Sequence, residues 1–269
     1  MKVQAGAAAL LAAVIVSSSA HAQWPEYSAS GVPRTPDGAV DLDGPVPRTR
    51  DGHPDLSGVW RVPRSTGADG AEAQPASDAP PLAGFRDVGA NLPGGLPFQP
   101  WAAELRAQRE ANGSRDNPEA HCLPMGIMQF HTQGAPRKFA QMPGLLIILY
   151  EASMGQRQIF TDGRTSPDND PQPWFYGYST GHWEGDELVV VTTNLRDGGW
   201  LDILGSPLTD EATITERFRR PTYGRMEIDI TVDDPKAYTK PWTVRLNQEI
   251  MVGQELIEFV CLENQQFGP

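Results

Sequence analysis

The amino-acid sequence predicts an all-β protein, an antiparallel meander closing into a β-barrel, with an irregular N-terminal arm and one short helix. Three observations carry this expectation. Eight runs rich in β-branched and aromatic residues follow one another between 145 and 262, most of them separated by short turn signals. In the clearest run Met226, Ile228, Ile230 and Val232 alternate with Glu227, Asp229 and Thr231, the period of a strand with one face in the core. No helical pattern interrupts the series, and closure is how such a sheet removes its edges.

Residues 1–22 read as a secretory signal peptide. Lys2 is followed by an apolar run from Ala7 to Val16 and by Ala20-His21-Ala22, with the cut expected after Ala22. The apolar run is too short to anchor the chain in a bilayer, so the mature protein is expected to be periplasmic or secreted, with no membrane insertion. Residues 23–57 form a Pro/Gly/Asp-rich segment in which one phrase occurs twice, VPRTPDGAVDL at 32–42 and VPRTRDGHPDL at 46–56. Each copy holds a turn signal, Asp37-Gly38 and Asp51-Gly52, and the segment reads as an extended, turn-punctuated arm.

The second copy runs on into SGVW (57–60), a first strand that opens the barrel domain, 58–269. Residues from about 61 to 143 read as an irregular and helical insertion. Within it, Pro100 to Asn112 has proline in its first turn and Trp101, Ala102 and Leu105 on one side, with Gly113 as its stop. The expected strands are then 145–151, 157–161, 173–183, 187–193, 212–220, 225–232, 242–250 and 255–262, and Glu184-Gly185-Asp186 joins two of them as a hairpin.

Cys122 and Cys261 are the only cysteines. In an exported chain a disulfide between them is the default, two buried thiols the alternative, and one pair cannot form a thiolate zinc site. A net charge of −12 argues against nucleic acid and anionic membrane as partners.

Four histidines follow Ala22: His53, His121, His131 and His182. None has the spacing of a metal-ligand pair, and the pattern calls for no metal and no cofactor. His182, beside Trp183 and Glu184, is either a general base awaiting a carboxylate or a hairpin cap with its tip in water. Asp162 and Arg164 flank a glycine; they form either a plain turn or a clamp at the barrel rim, with His131 as a further acid–base candidate. Tyr150, Trp174, Tyr176, Tyr178 and Trp200 supply aromatic surface, and Trp174, Tyr176 and Tyr178 would share one strand face. No nucleophile elbow, P-loop or dinucleotide fingerprint is present.

The expected function is binding of a small apolar or amphipathic molecule in an aromatic-lined cavity. The alternative is a lyase, isomerase or hydrolase working through His182 or His131 with Asp162 and Arg164. A third reading is an envelope-associated interaction protein that uses the arm, its partner not specified by the sequence.

Gly58-Val59-Trp60 ahead of the strand series resembles the G-x-W of lipocalin-like barrels. That resemblance implies a glycine allowing close approach, a tryptophan plugging one barrel end, and a basic side chain across it, for which Arg245 is the candidate. The segment between Trp60 and the next expected strand is longer than such barrels allow. DGHPDLSGVW (51–60), RQIFTDGR (157–164), GHWEGDELVVVTT (181–193), TERFRR (215–220) and DDPKAYTKPWTV (233–244) together resemble a widespread group of exported bacterial proteins. Several of its members carry histidines where this chain has Thr165-Ser166 and Leu208-Thr209, so the resemblance brings no metal or catalytic role to those positions.

Overall fold

The computed structural model describes residues 31–63, 78–167 and 174–261. The expected signal peptide, arm residues 23–30, Pro173 and Leu262 lie outside these residues. The barrel strands are β1 (Gly58–Arg61), β2 (Arg137–Met142), β3 (Leu145–Tyr150), β4 (Gln156–Phe160), β5 (Tyr178–Glu184) and β6 (Glu187–Thr193). A two-stranded ribbon, β7 (Gly199–Trp200) with β8 (Pro207–Leu208), precedes β9 (Thr213–Thr222), β10 (Arg225–Asp233) and β11 (Trp242–Ile250). Helices α1 (Pro100–Ala111) and α2 (Ile127–Thr132) lie between β1 and β2.

Nine strands close in the order β1-β11-β10-β9-β6-β5-β4-β3-β2. The order follows the chain except where β7 and β8 leave the wall, and every pairing is antiparallel except that of β4 with β5. Period-two alternation selects the inward face. Met226, Ile228, Ile230 and Val232 are completely buried and join Trp60, Phe139, Ile148, Ile214 and Phe218 in one core. The outward positions carry charge: Arg245 donates to Asp229 (Nε–Oδ1 2.6 Å), and Arg217 and Arg219 pair with Glu187.

The G-x-W expectations resolve in detail. Gly58 has φ +141°, and a Cβ there would lie 3.2 Å from Ile250 Cδ1 and 3.3 Å from Trp60 Nε1, so glycine is the residue that fits. Trp60 is fully buried and donates from Nε1 to Leu56 O (3.0 Å). The guanidinium across its ring belongs to Arg220, at 4.8 Å, and Arg245 lies on the outer face instead. Position decides this: Arg220 is in phase with the inward Ile214 and Phe218 of β9, whereas Arg245 alternates with the buried Val244 and Leu246.

Three further expectations change. β2, from RKFAQM, falls in the stretch expected to be irregular or helical and closes the barrel against β1, with Gly58 opposite Phe139. Residues 255–261 form no strand, since the wall is complete at β11 and leaves no ladder for them to join. Residues 174–177 turn before β5 begins, because Gly177 takes φ +62° and donates to Trp174 O (3.2 Å). Helix α1 forms where expected and ends at Gly113, with φ +66°. Cys122 and Cys261 are joined in a disulfide.

Candidate functional site

On β4, β5, β6 and β9 the inward face carries a polar residue among the apolar ones: Arg157, Ser179, Thr192 and Glu216, all buried. Arg157 Nη1 donates to Glu216 Oε1 (2.9 Å), and Nη2 donates to the other carboxylate oxygen. The same guanidinium reaches Thr192 Oγ1 (2.7 Å) and Ser179 Oγ (3.1 Å), which lie 2.9 Å from each other. Every member thus has partners, as ions and hydroxyls inside a barrel require.

Helix α2 brings His131 to this network, and all six of its residues are buried. His131 Nε2 lies 3.2 Å from Glu216 Oε1 and 3.5 Å from Tyr150 Oη. Tyr150 also stacks on Phe130 of α2 at 4.2 Å. From β2, Arg137 donates to the carbonyls of His131 (2.8 Å), Gln133 (2.8 Å) and Ala135 (2.9 Å), pinning the end of α2 at the barrel end far from the β2–β3 turn.

Burial alone would raise the Glu216 pKa, but the Arg157 charge and the hydrogen bonds from His131 and Arg157 outweigh it and hold the carboxyl down at about 2. Burial pushes the His131 imidazole down, against the pull of Glu216, so this histidine is neutral near pH 7. Beside an ionised carboxylate its proton sits on Nε2, which leaves Nδ1 as a buried acceptor with no hydrogen bond among the described residues. Burial also lifts the Tyr150 hydroxyl to about 12 and lowers Arg137 to about 10, still cationic.

Both His131 and Glu216 are harder to protonate folded than unfolded. Their contribution to stability is therefore complete above their unfolded values, 6.5 and 4.5, and is lost as pH falls through the folded ones. The thermal midpoint is expected to fall steadily as pH is lowered from about 6.5 toward about 2, and Glu216→Gln should flatten the part of that curve below about 4.5. A midpoint independent of pH across that range would show that the pair carries no such linkage.

The other acid–base candidates lie elsewhere. His182 is exposed on the outer face of β5 and bonds Glu184 (Nε2–Oε1 3.1 Å), which also pairs with Arg217. Asp162 pairs with Arg164 in its own turn (Nε–Oδ1 2.9 Å), and the Arg164 guanidinium lies over the Phe160 ring at 4.0 Å. The structure brings Asp162 and Arg164 together but joins neither to His182 or to His131.

Of two cavities, the first is lined by three of the expected binding residues, Trp174, Tyr176 and Tyr178, and the second by none of them. The first opens where β4 and β5 part, since these parallel strands pair only at Ile159–Ser179 and Phe160–Thr180. It holds about 320 Å3 and is lined by Phe160, Trp174, Phe175, Tyr176 and Tyr178, with Gln156 and Gln158 among its polar groups. Phe160 and Tyr178 stack at 5.3 Å, and Tyr176 meets Phe130 edge-on at 5.4 Å. Because 174–177 is a turn, Phe175 lines the cleft along with Trp174 and Tyr176 instead of facing away from them. Tyr150 belongs to the interior network, and Trp200 is buried beneath the Arg109 guanidinium (4.5 Å); neither lines the cleft. The other cavity, of about 500 Å3, lies at the barrel end formed by the β2–β3 and β5–β6 turns. His131 lines neither.

Arg157, Ser179, Thr192, Glu216 and Arg137 are not picked out by motif. The signal they do carry is phase: Glu216 falls on the same strand face as Ile214 and Phe218, and Arg157 on that of Ile159. A charge in register with core residues is the mark that a buried network leaves on a sequence.

Comparisons of the chain with family models, with curated proteins and with solved structures give no match. Among the described residues no group of three or more His, Cys, Asp or Glu is placed to hold a metal ion, and no helix is long and apolar enough to cross a membrane.

Proposed function

We propose that this is an exported binding protein for a small, largely apolar, uncharged molecule with an aromatic or similarly flat body, taken up in the cleft between β4 and residues 174–178. The observation that carries the reading is the lining, in which five aromatic side chains meet a few amide and hydroxyl groups, the usual makeup of a small-molecule site. Arg157 and Ser179 also border the cleft, but the Arg157 charge is already balanced by Glu216, so an anionic ligand gains little there. The disulfide supports an oxidising compartment, compatible with export.

Native mass spectrometry of the protein purified from its own host should show a co-purifying organic mass. Trp174→Ala is expected to weaken that ligand by about tenfold or more, the scale of an aromatic anchor. Retained affinity in both Trp174→Ala and Tyr178→Ala would remove the reading. A second reading, acid–base catalysis, draws on His131, which has a carboxylate on one ring nitrogen and, on the other, a lone pair with no hydrogen bond among the described residues. It requires substrate to reach the barrel interior, and His131→Asn would then abolish turnover without loss of binding at the cleft.

A further inference from the structure

The doubled phrase folds twice into the same small hairpin. In the first copy Thr35 N donates to Ala39 O (3.0 Å), Gly38 N to Thr35 O (2.8 Å) and Arg34 Nη1 to Gly38 O (2.7 Å). In the second, Thr49 N donates to His53 O (2.9 Å), Gly52 N to Thr49 O (3.0 Å) and Arg48 Nη1 to Gly52 O (2.8 Å). Their positions differ. The first hairpin leads into the β9–β10 turn, where Gly224 N donates to Leu42 O (2.8 Å). The second covers the barrel mouth. Gln141 of β2 holds it through Leu56 N (2.8 Å) and Pro54 O (3.3 Å), Arg48 pairs with Asp186 of the β5–β6 turn (2.6 Å), and His53 lies flat on Trp183 at 4.6 Å.

Beneath this hairpin is the cavity of about 500 Å3. Its floor is apolar, with Leu146, Leu188, Met142 and Trp183, and its lip is formed by the hairpin itself through Arg50 and His53. The two copies differ at three positions, Pro36 against Arg50, Ala39 against His53 and Val40 against Pro54. Two of those three changes put side chains on the cavity, and both side chains are nitrogen bases. Asp51 is also on the lip, but its carboxylate is turned into the hairpin and accepts from Thr49 Oγ1. Arg48 is neutralised by Asp186. Arg50 makes no hydrogen bond or ion pair among the described residues, although the chain carries a net charge of −12. A free guanidinium over an apolar floor suits a planar anion with an apolar body.

The geometry points to a second binding site at the barrel mouth, for a small organic carboxylate, in which Arg50 pairs with the anion while its apolar body packs against Leu146, Leu188 and Trp183. The site is separate from the aromatic cleft and uses none of its residues. The duplication then has a purpose: one hairpin design is used once as a brace and once, with Arg50 and His53 added, as the lip of a ligand cavity.

The test uses the full chain, 4-phenylbutyrate as probe and its amide, 4-phenylbutyramide, as the uncharged control. Isothermal titration gives the affinities, and the His53 ring resonances report the place of binding. Saturable binding of the acid that shifts His53 is expected, with the amide weaker by about tenfold or more, and with a similar loss for the acid in Arg50→Gln. Arg50→Pro restores the residue that the first copy carries there, which already folds in that hairpin, and leaves His53 stacked on Trp183; this variant should keep the unfolding midpoint and lose the acid. Equal affinities for acid and amide, unchanged binding in Arg50→Gln, or no saturable binding of the acid up to about 10 mM, beyond the weakest useful affinity, would each overturn the assignment.

Discussion

Replacing Arg157 with methionine is expected to cost about 3–5 kcal/mol, because it leaves the Glu216 carboxylate inside the barrel without its counter-charge. Both side chains are almost fully shielded from solvent, so water cannot take over the lost partner. Ser179 and Thr192 would keep only each other, and His131 would remain as the main donor to Glu216. A domain of this kind is stable by about 5–15 kcal/mol in total, so the single variant is expected near the edge of folding. The double variant Arg157→Met/Glu216→Leu separates the causes. If the loss comes from a stranded charge, removing both charges should recover most of it, since an apolar pair of similar size often replaces a buried ion pair at little cost. Urea unfolding of the two variants is the measurement. A double variant as unstable as the single one would mean that Arg157 acts through packing and hydroxyl bonding, and the charge account would fall.

That expected size also explains what the network contributes to the fold. Glu216, Arg157 and His131 come from β9, β4 and α2, and their geometry fixes how α2 seats in the barrel end. Arg137 and Gln248 add to this by bonding the His131 carbonyl from β2 and β11, and Tyr150 of β3 meets the imidazole, so that with Glu216 of β9 four barrel strands reach the histidine. A purely apolar interior would bury the same helix without specifying its rotation as tightly.

The strands are legible in the sequence where alternation runs long enough to set a phase. β9, β10 and β11 follow their apolar residues almost to the ends, and β6 begins and ends as read. β2 is not legible, because Arg137 and Lys138 head a six-residue stretch with only Phe139, Ala140 and Met142 as apolar residues. Arg137 nonetheless faces inward, where carbonyls at the end of α2 satisfy it. The segment 255–261 fails the other way. Its composition suits a strand, but a closed wall offers it no edge, and pairing is a property of the whole barrel. At the aromatic cleft the residue types are legible and their arrangement is not: one glycine at φ +62° ends the strand pattern and rotates Phe175 onto the lining. His131 is legible as a candidate, but its carboxylate is not, because Glu216 lies 85 residues away and meets it only through the closure of the barrel.

Removing the disulfide is expected to cost about 2–5 kcal/mol, and the chain-entropy treatment behind this figure also says how the loss is distributed. Cys122 and Cys261 are 139 residues apart, so the bridge closes a loop that takes in every barrel strand except β1. Such a loop constrains the unfolded ensemble strongly. Residues 251–261 after β11 join no ladder, and their described ties are few, such as Ile257 N to Glu151 Oε2 (3.1 Å) and Lys138 with Glu255. The bridge therefore has two available actions: holding this segment in place locally, or restricting the unfolded chain as a whole. Cys122→Ser/Cys261→Ser distinguishes them. If the restriction of the unfolded chain dominates, the urea midpoint falls and the slope m rises, because an unlinked chain exposes more surface. If local holding dominates, hydrogen exchange speeds up only across 251–261 and the midpoint barely moves. The length of the loop favours the first outcome, since a segment with so few bonds of its own has little local stability to lose.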